Sequence, residues 1–473
     1  MTPFLVISIL VGYFGLLITI SFFTSKGAEN TSFYTGDKSS PWYVVSFGMI
    51  GASLSGITFL SIPGTVADKS FSYMQMVLGY TVGYFIIAKV LLPIYYKYNL
   101  VSIYAYLGQR FGKNSQMTGS FFFLISRVIG ASLRLFLVAM ILDKAIFSFY
   151  GVPFWLSVAV TILLIWIYTF RGGIKTVVWT DLFQTAFMLG AVILTVIIIY
   201  LSIDTQEKSW TVLLADSGYT KIFHWQGSQH FLKMFFSGIF ITVVMTGLDQ
   251  DMMQKNLTVG TLKDSQKNMY WLSVNIVLVN LVFLTLGAML YIYAEQLGIG
   301  LPEKKDLVFA ELALNHLPLI VGIPFVLGTV AAAYSSADSA LTSLTTSFSI
   351  DFLEFNGVQV TKSRRMLVHV GFSVLLFVTI LVFSSFKNES LVWVLFKAAG
   401  LTYGPLLGIF TLGIFTKISL KDKLVPFICV ASAVASIVLF LNSEQWFGYK
   451  FGVEISLIST SVTILGLLLI KKR

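Results

Sequence analysis

The 473-residue chain has one cysteine (Cys429), four histidines and 11% charged residues, against about 25% in a soluble domain. A single cysteine excludes a disulfide within the chain and a thiolate metal centre. His224, His230, His316 and His369 are scattered and make no metal-ligand spacing. Nothing resembles the phosphate-cradling GxxxxGK[ST] loop of an ATP-driven motor, and neither HExxH nor a pair of catalytic carboxylates is present, so an enzyme is not expected. Long hydrophilic stretches are missing too. The two longest breaks between apolar runs, 203–230 and 296–317, hold 28 and 22 residues, too few for a soluble catalytic domain.

What fills the chain instead is apolar: 56% hydrophobic residues, spread from end to end. This predicts an all-α polytopic membrane protein forming one domain over 1–473. About thirteen runs reach or approach the ~20 residues a spanning helix needs: 3–24, 43–66, 72–96, 117–148, 152–170, 176–202, 231–254, 269–295, 318–352, 366–386, 390–416, 424–442 and 451–470. The first is read as a retained helix, since it lacks a basic leader and a clear cleavage site. With the C-terminus inside, the inner loops carry 19 Lys and Arg. The outer loops carry 7: Lys69, Lys208, Lys221, Lys304, Lys305, Lys387 and Lys450. That bias puts the N-terminus outside and the C-terminus inside a cytoplasmic (inner) cell membrane. The net charge of +10 follows this topology and calls for no nucleic acid. No segment signals an obligate protein partner.

One run is loaded with oxygen. Ala331–Ser347 reads AAAYSSADSALTSLTTS, and on a helix Ser335, Asp338, Ser339, Thr342 and Thr346 share a face by i+3 and i+4 spacing. A carboxylate at membrane depth usually marks an ion or substrate path, and hydroxyls with a carboxylate suit a small hard cation. Close helix packing through small hydroxyl residues is the competing explanation; it accounts for the serines better than for Asp338.

The second run is punctuated by Gly48, Gly51, Gly56 and Pro63-Gly64, with Ser53, Ser55, Thr58 and Ser61 between them. Such a helix can break and offer free carbonyls to a cation, or can simply present a small-residue packing face. The seventh run has a comparable break at Thr246-Gly247. Two interrupted helices in corresponding positions point to an inverted repeat: a first unit over 43–203 and a second over 231–418, with an extra helix in 1–30 and two C-terminal helices in 424–473. Arg127, Arg134, Asp181 and Lys397 fall at membrane depth, where they either serve a pathway or pair with one another. Lys89, Asp143, Lys144, Lys233, Asp249 and Asp251 lie close enough to run ends to be expected at the interface or in loops.

Six stretches together carry a family resemblance: GASLSGITFLSIPG (51–64), IYAYLGQRFG (103–112), GGIKTVVWTDLFQ (172–184), DQDMMQKNL (249–257), AAAYSSADSALTSL (331–344) and YGPLLGIFTLGIFTK (403–417). In these the chain resembles the sodium/solute symporter family, which includes sodium-coupled glucose, proline and sialic acid transporters. The resemblance implies a leucine-transporter-like 5+5 inverted repeat. It also implies a principal sodium site built from the carbonyls of Gly51, Leu54 and Ala332 and the hydroxyls of Ser335 and Ser336. A second sodium site, found in some members, maps to Asp181, Ser335, Asp338 and Ser339, where Asp338 replaces a serine. One or two sodium ions are therefore expected.

For the solute, the resemblance implies a lining of Ser53, Ser55 and Thr58, then Tyr73 and Val77, then Arg134, then the Thr242–Thr246 stretch. The Tyr-Trp pair of the glucose branch is absent, replaced by Met245 and Thr246. Arg134 resembles the arginine with which the sialic acid branch holds a carboxylate, although Val77 stands where that branch has a glutamine. The implied activity is sodium-coupled symport of a small organic anion, such as a sugar acid or another carboxylate. A neutral sugar, polyol or amino acid is the alternative within transport, and a sodium-dependent membrane sensor the alternative outside it.

Overall fold

A chain surrounded by lipid must satisfy its own amides, and an α-helix does so within one segment. The computed structural model describes residues 3–26, 29–143, 147–170, 172–203, 209–353, 360–385, 391–449, 451 and 455–472. Among these the apolar runs are helices, and the one extended feature is a bridge between Leu420 and Lys471. The helices that organise the molecule are α1 (Pro3–Thr24), α2 (Trp42–Lys69), α3 (Tyr73–Ile86), α4 (Lys113–Leu142), α5 (Phe154–Thr169), α6 (Ile174–Ser202), α7 (Phe231–Thr242), α8 (Gln250–Asn256), α9 (Leu262–Gln296), α10 (Leu319–Phe348), α11 (Lys362–Ser384), α12 (Leu391–Phe415), α13 (Val425–Phe447) and α14 (Ile455–Leu469).

Eight described helical stretches are long and apolar enough to cross a bilayer, nine if the bent pair α7–α8 is one span. The protein is thus an all-helical, multi-pass membrane protein. Burial separates centre from periphery. The α10 stretch is 72% buried, and every residue from Gly328 to Ser347 is enclosed. The α11 and α13 stretches are 22% buried and turn Leu367, Phe427 and Leu441 outward, as lipid-facing helices do. Around α10 pack α6, α2 and α4; α9 lies on α2, α7 on α3, and α12 on α4 and α14.

Two helices are interrupted. Within α2, Ser55 takes φ 46°, ψ 163°, which no α-helix contains. In the seventh run α7 passes through a wide turn, Val243–Gly247, and the chain bends 69° before α8. Small residues permit close approach around both interruptions. A Cβ on Gly56 would lie 3.2 Å from Cβ of Ala333 on α10, and a Cβ on Gly79 would lie 3.0 Å from Cα of Gly238, so α3 and α7 touch backbone to backbone.

The structure corrects four positions read from sequence as interfacial or loop residues. Asp249 and Asp251 are fully buried, and so are Lys255 and, at 3% exposure, Arg365, which had both counted among the 19 inner-loop cations and leave 17. The apolar run does not end at residue 254 in solvent. It folds back into the bundle, and polar partners inside replace water. Elsewhere the expectation of interfacial exposure fits: Lys233 reaches the Tyr449 hydroxyl at 2.6 Å and is exposed. Lys144 and the Lys397 side chain lie outside the described residues.

Candidate functional site

The break in α2 faces the hydroxyl-rich stretch of α10. Gly51 and Leu54 are buried on α2; Ala332, Ser335 and Ser336 are buried on α10; and the Gly56–Ala333 contact holds the two helices together at this level. On the far side of Gly51, α6 contributes Thr185. Its Oγ1 accepts from the Gly51 amide at 3.2 Å and donates to the Gly48 carbonyl at 3.2 Å. Thr185 carried no sequence signal beyond its place on a helix with Asp181.

The serines of α10 are already oriented. Ser336 Oγ donates to its own helix at the Ala332 carbonyl (3.3 Å), and Ser339 Oγ donates to the Ser335 carbonyl (2.8 Å). Ser335 instead donates across to Asp181 Oδ1 on α6 at 2.5 Å. A hydroxyl that has given its proton keeps two lone pairs, so each remains a candidate ligand for a cation.

The two carboxylates expected here have different partners. Asp181 Oδ2 is paired with Lys255 Nζ at 2.6 Å, both groups 1% exposed. Asp338 accepts from the Tyr168 hydroxyl at 2.9 Å and from the Ser339 amide at 2.6 Å, with no cation in ion-pair range among the described residues. Lys255 and Tyr168 were missed from sequence. A signal for Lys255 was present, however: Gln250, Asp251, Gln254 and Lys255 repeat polar residues at i, i+1, i+4 and i+5 immediately after the break.

The residues expected to line a solute are distributed over the same region. Ser55 Oγ and Thr58 Oγ1 are 3.0 Å apart, beside the α2 break, and the hydroxyls of Tyr73 and Tyr80 are 3.0 Å apart on α3. Ser53 Oγ is buried and, among the described residues, makes no hydrogen bond of standard geometry. The Tyr84 hydroxyl lies near both Ser53 and Thr246, which joins α2, α3 and the bend after α7. Thr242 is packed on Gly83 of α3.

The two arginines of α4 separate cleanly. Arg127 pairs with Asp251 and, at 3.7 Å, with Asp249, whose Oδ2 also accepts from Tyr403 at 2.5 Å and whose Oδ1 caps α8. Arg134 is equally buried, yet no carboxylate comes within ion-pair range of it among the described residues, and its Nε has no partner. No hydrogen bond joins it to Ser53, Ser55, Thr58 or Tyr73 among those residues.

A bundle of spanning helices, two of them broken beside a buried set of hydroxyls and charges, defines a secondary transporter fold. The sequence model of the Sodium:solute symporter family matches residues 33–419, and the chain belongs to that family. It is 25% identical over 432 residues to the sodium/sialic acid symporter SiaT of Proteus mirabilis (strain HI4320), covering 87% of this chain and 84% of that one. It is 25% identical over 423 residues to the sodium/sialic acid symporter NanT of Aliivibrio fischeri (strain ATCC 700601 / ES114), covering 86% and 82%. It is also 24% identical to sodium-coupled monocarboxylate transporter 1 of Mus musculus, covering 91% and 70%. Among solved structures, a Na+-coupled sialic acid symporter in a substrate-bound outward-open state superposes with a TM-score of 0.83 at 20% identity, covering 99% and 98%. The nucleobase-cation symporter MHP1 does so with 0.56 at 14% identity, covering 92% and 93%. These superpositions establish the shared fold.

Proposed function

We propose that the protein is a sodium-coupled symporter that carries a small organic anion, of the sugar-acid or sialic-acid kind, into the cell by alternating access. The observation that carries the anionic solute is Arg134. A buried guanidinium with no ion pair among the described residues is costly, and a planar fork of donors is the group best suited to hold a carboxylate in two parallel hydrogen bonds. Relatives named for sialic acid and for monocarboxylates are in keeping with this choice.

The sodium ion is held by the carbonyls of Gly51, Leu54 and Ala332 and the hydroxyls of Ser335 and Ser336. The kink at Ser55 supports the carbonyl part, since a residue at positive φ turns the following amides away from the preceding turn. In the second set, Lys255, Ser335, Tyr168 and the Ser339 amide engage the carboxylates of Asp181 and Asp338. This favours one coupled sodium. Ser53, Ser55, Thr58, Tyr73, Thr242 and Thr246 complete the solute lining.

Around this site we read thirteen spans in a 5+5 inverted arrangement, with repeats over 43–203 and 231–418, an extra helix in 1–30 and two C-terminal helices in 424–473. That each repeat opens on an interrupted helix supports the assignment. The positive-inside bias supports an outside N-terminus and an inside C-terminus. Sodium tying α2 to α10 favours the outward-facing state, and low internal sodium releases ion and solute together. The membrane potential contributes ~2.3 kcal/mol per charge per 100 mV.

Uptake of radiolabelled sialic acid into proteoliposomes under an imposed sodium gradient tests the reading. Uptake that is the same without sodium refutes symport. A ligand screen that returns only neutral sugars, polyols or amino acids refutes the anionic solute.

A further inference from the structure

The segment α8 is a seven-residue helix in which every residue is buried and five are polar: Gln250, Asp251, Gln254, Lys255 and Asn256. Each of the five is tied to a different part of the bundle. Gln250 accepts from the Ile103 amide (2.9 Å) and donates to the Val101 carbonyl (2.8 Å). Asp251 pairs with Arg127 of α4, and Gln254 donates to Thr346 Oγ1 of α10 at 2.8 Å. Asn256 accepts from Asn268 of α9 at 2.9 Å, and Lys255 pairs with Asp181 of α6 at 2.6 Å. Burying so many polar groups costs more than an apolar turn would. A segment that merely ended a span would need none of them.

One of these ties continues in series to α10. Asp181 holds Lys255 on one oxygen and Ser335 on the other. Ser335 belongs to the sodium site proposed above. Lys255 sits on α8, which follows the Thr242–Thr246 stretch across the 69° bend. One carboxylate therefore stands between the ion and the second broken helix. Asp338 lies close enough to interact electrostatically with both Asp181 and Lys255. A cation on the Ser335 oxygen strengthens the hydrogen bond its proton makes to Asp181.

We propose that Lys255 is a positioning residue of the symport cycle: through Asp181 it ties α8, and with it the solute-lining bend, to sodium occupancy at Ser335. With sodium bound, Ser335 and through it Asp181 are fixed, and α8 is held by Lys255. When sodium leaves, Asp181 loses that fixed partner and α8 loosens. This rests on the symport reading but not on the identity of the solute, so it can be tested with sodium alone.

The experiment is hydrogen–deuterium exchange on the detergent-solubilised full chain in sodium chloride and in choline chloride. In the wild type, sodium slows exchange at 51–56 and 332–336 and also at 250–256, by about tenfold at the latter, within the usual range for linked sites. In Lys255→Met the first two segments still respond, while the response at 250–256 falls below about twofold. Lys255→Arg, which keeps the charge, restores it. Because Lys255→Met strands a buried carboxylate and can impair folding, Asp181→Asn with Lys255→Met is the second variant. It removes both charges, keeps an acceptor for Ser335, and is expected to show the same selective loss. A full sodium response at 250–256 in either variant overturns the proposal, as does its absence in the wild type. If sodium alters exchange nowhere in the wild type, the symport reading itself fails and this inference falls with it.

Discussion

Replacing Arg134 by methionine should separate two effects that most mutations move together. The guanidinium is buried at 6% exposure, its Nε is unpartnered, and no carboxylate of the described structure is in ion-pair range; Arg127 lies near enough to repel it and Asp249 near enough to attract it. In the absence of solute, removal of an unpaired buried cation relieves a desolvation cost and a like-charge repulsion. Methionine is unbranched and fills irregular space well, so little cavity is created. The solute-free variant should therefore melt no lower than the wild type, and higher by up to a few degrees. For a carboxylate solute the sign reverses. Losing one partner of a desolvated charge pair costs about 2–5 kcal/mol, or roughly 30- to several-thousand-fold in affinity. Thermal denaturation with and without sialic acid, in constant sodium, reads both quantities. A variant that is destabilised by several degrees on its own, or that loses less than about threefold in affinity, refutes the reading of Arg134 as a carboxylate clamp.

Other outcomes follow from the same geometry. Ser335→Ala with Ser336→Ala should abolish the sodium dependence of uptake, measured as the ratio of rates in sodium and choline. Because both carboxylates of the second set are already engaged, uptake should rise with sodium with a Hill coefficient of about 1; a value approaching the two-ion limit would rule out a single coupled ion. Gly51→Ala would drive a methyl group into Thr185 Oγ1 on the neighbouring helix. Its sodium affinity should fall and be partly recovered by Thr185→Ala, as titration of sodium-dependent thermal stability would reveal. Tyr403→Phe removes the hydrogen bond to buried Asp249 and should cost about 1–3 kcal/mol, seen as a lower melting temperature with sodium affinity unchanged.

Helix positions were legible wherever an apolar run had water-seeking residues at both ends. The runs at 3–24, 176–202 and 318–352 match α1, α6 and α10 to within a few residues. The α2 break was legible because glycine, proline and serine cluster there, and the oxygen-rich face of α10 because its hydroxyls recur at helical spacing. Lys255 was legible only as part of the polar repeat after the break, and its pairing was not legible at all. A lysine following an apolar run reads as a snorkelling or loop residue when its only visible context is sequence, and its true partner, Asp181, lies 74 positions earlier on another helix. Asp249 and Asp251 were misread for the same reason: Arg127, which neutralises them, is more than 120 residues away. Charge pairing across a bundle is long-range information, whereas periodicity is local.

The glycine contact between α3 and α7 has a mechanical consequence. With Gly79 and Gly238 in backbone contact, these helices have no side-chain layer between them at that level to shear. On the other side of the bend, α8 is bolted to α4, α6, α9 and α10 through its polar groups. The two halves of one broken helix are thus fastened to different helices. The turn Val243–Gly247 is the seam between them, and any rotation of one part against the other must be taken up within those few residues.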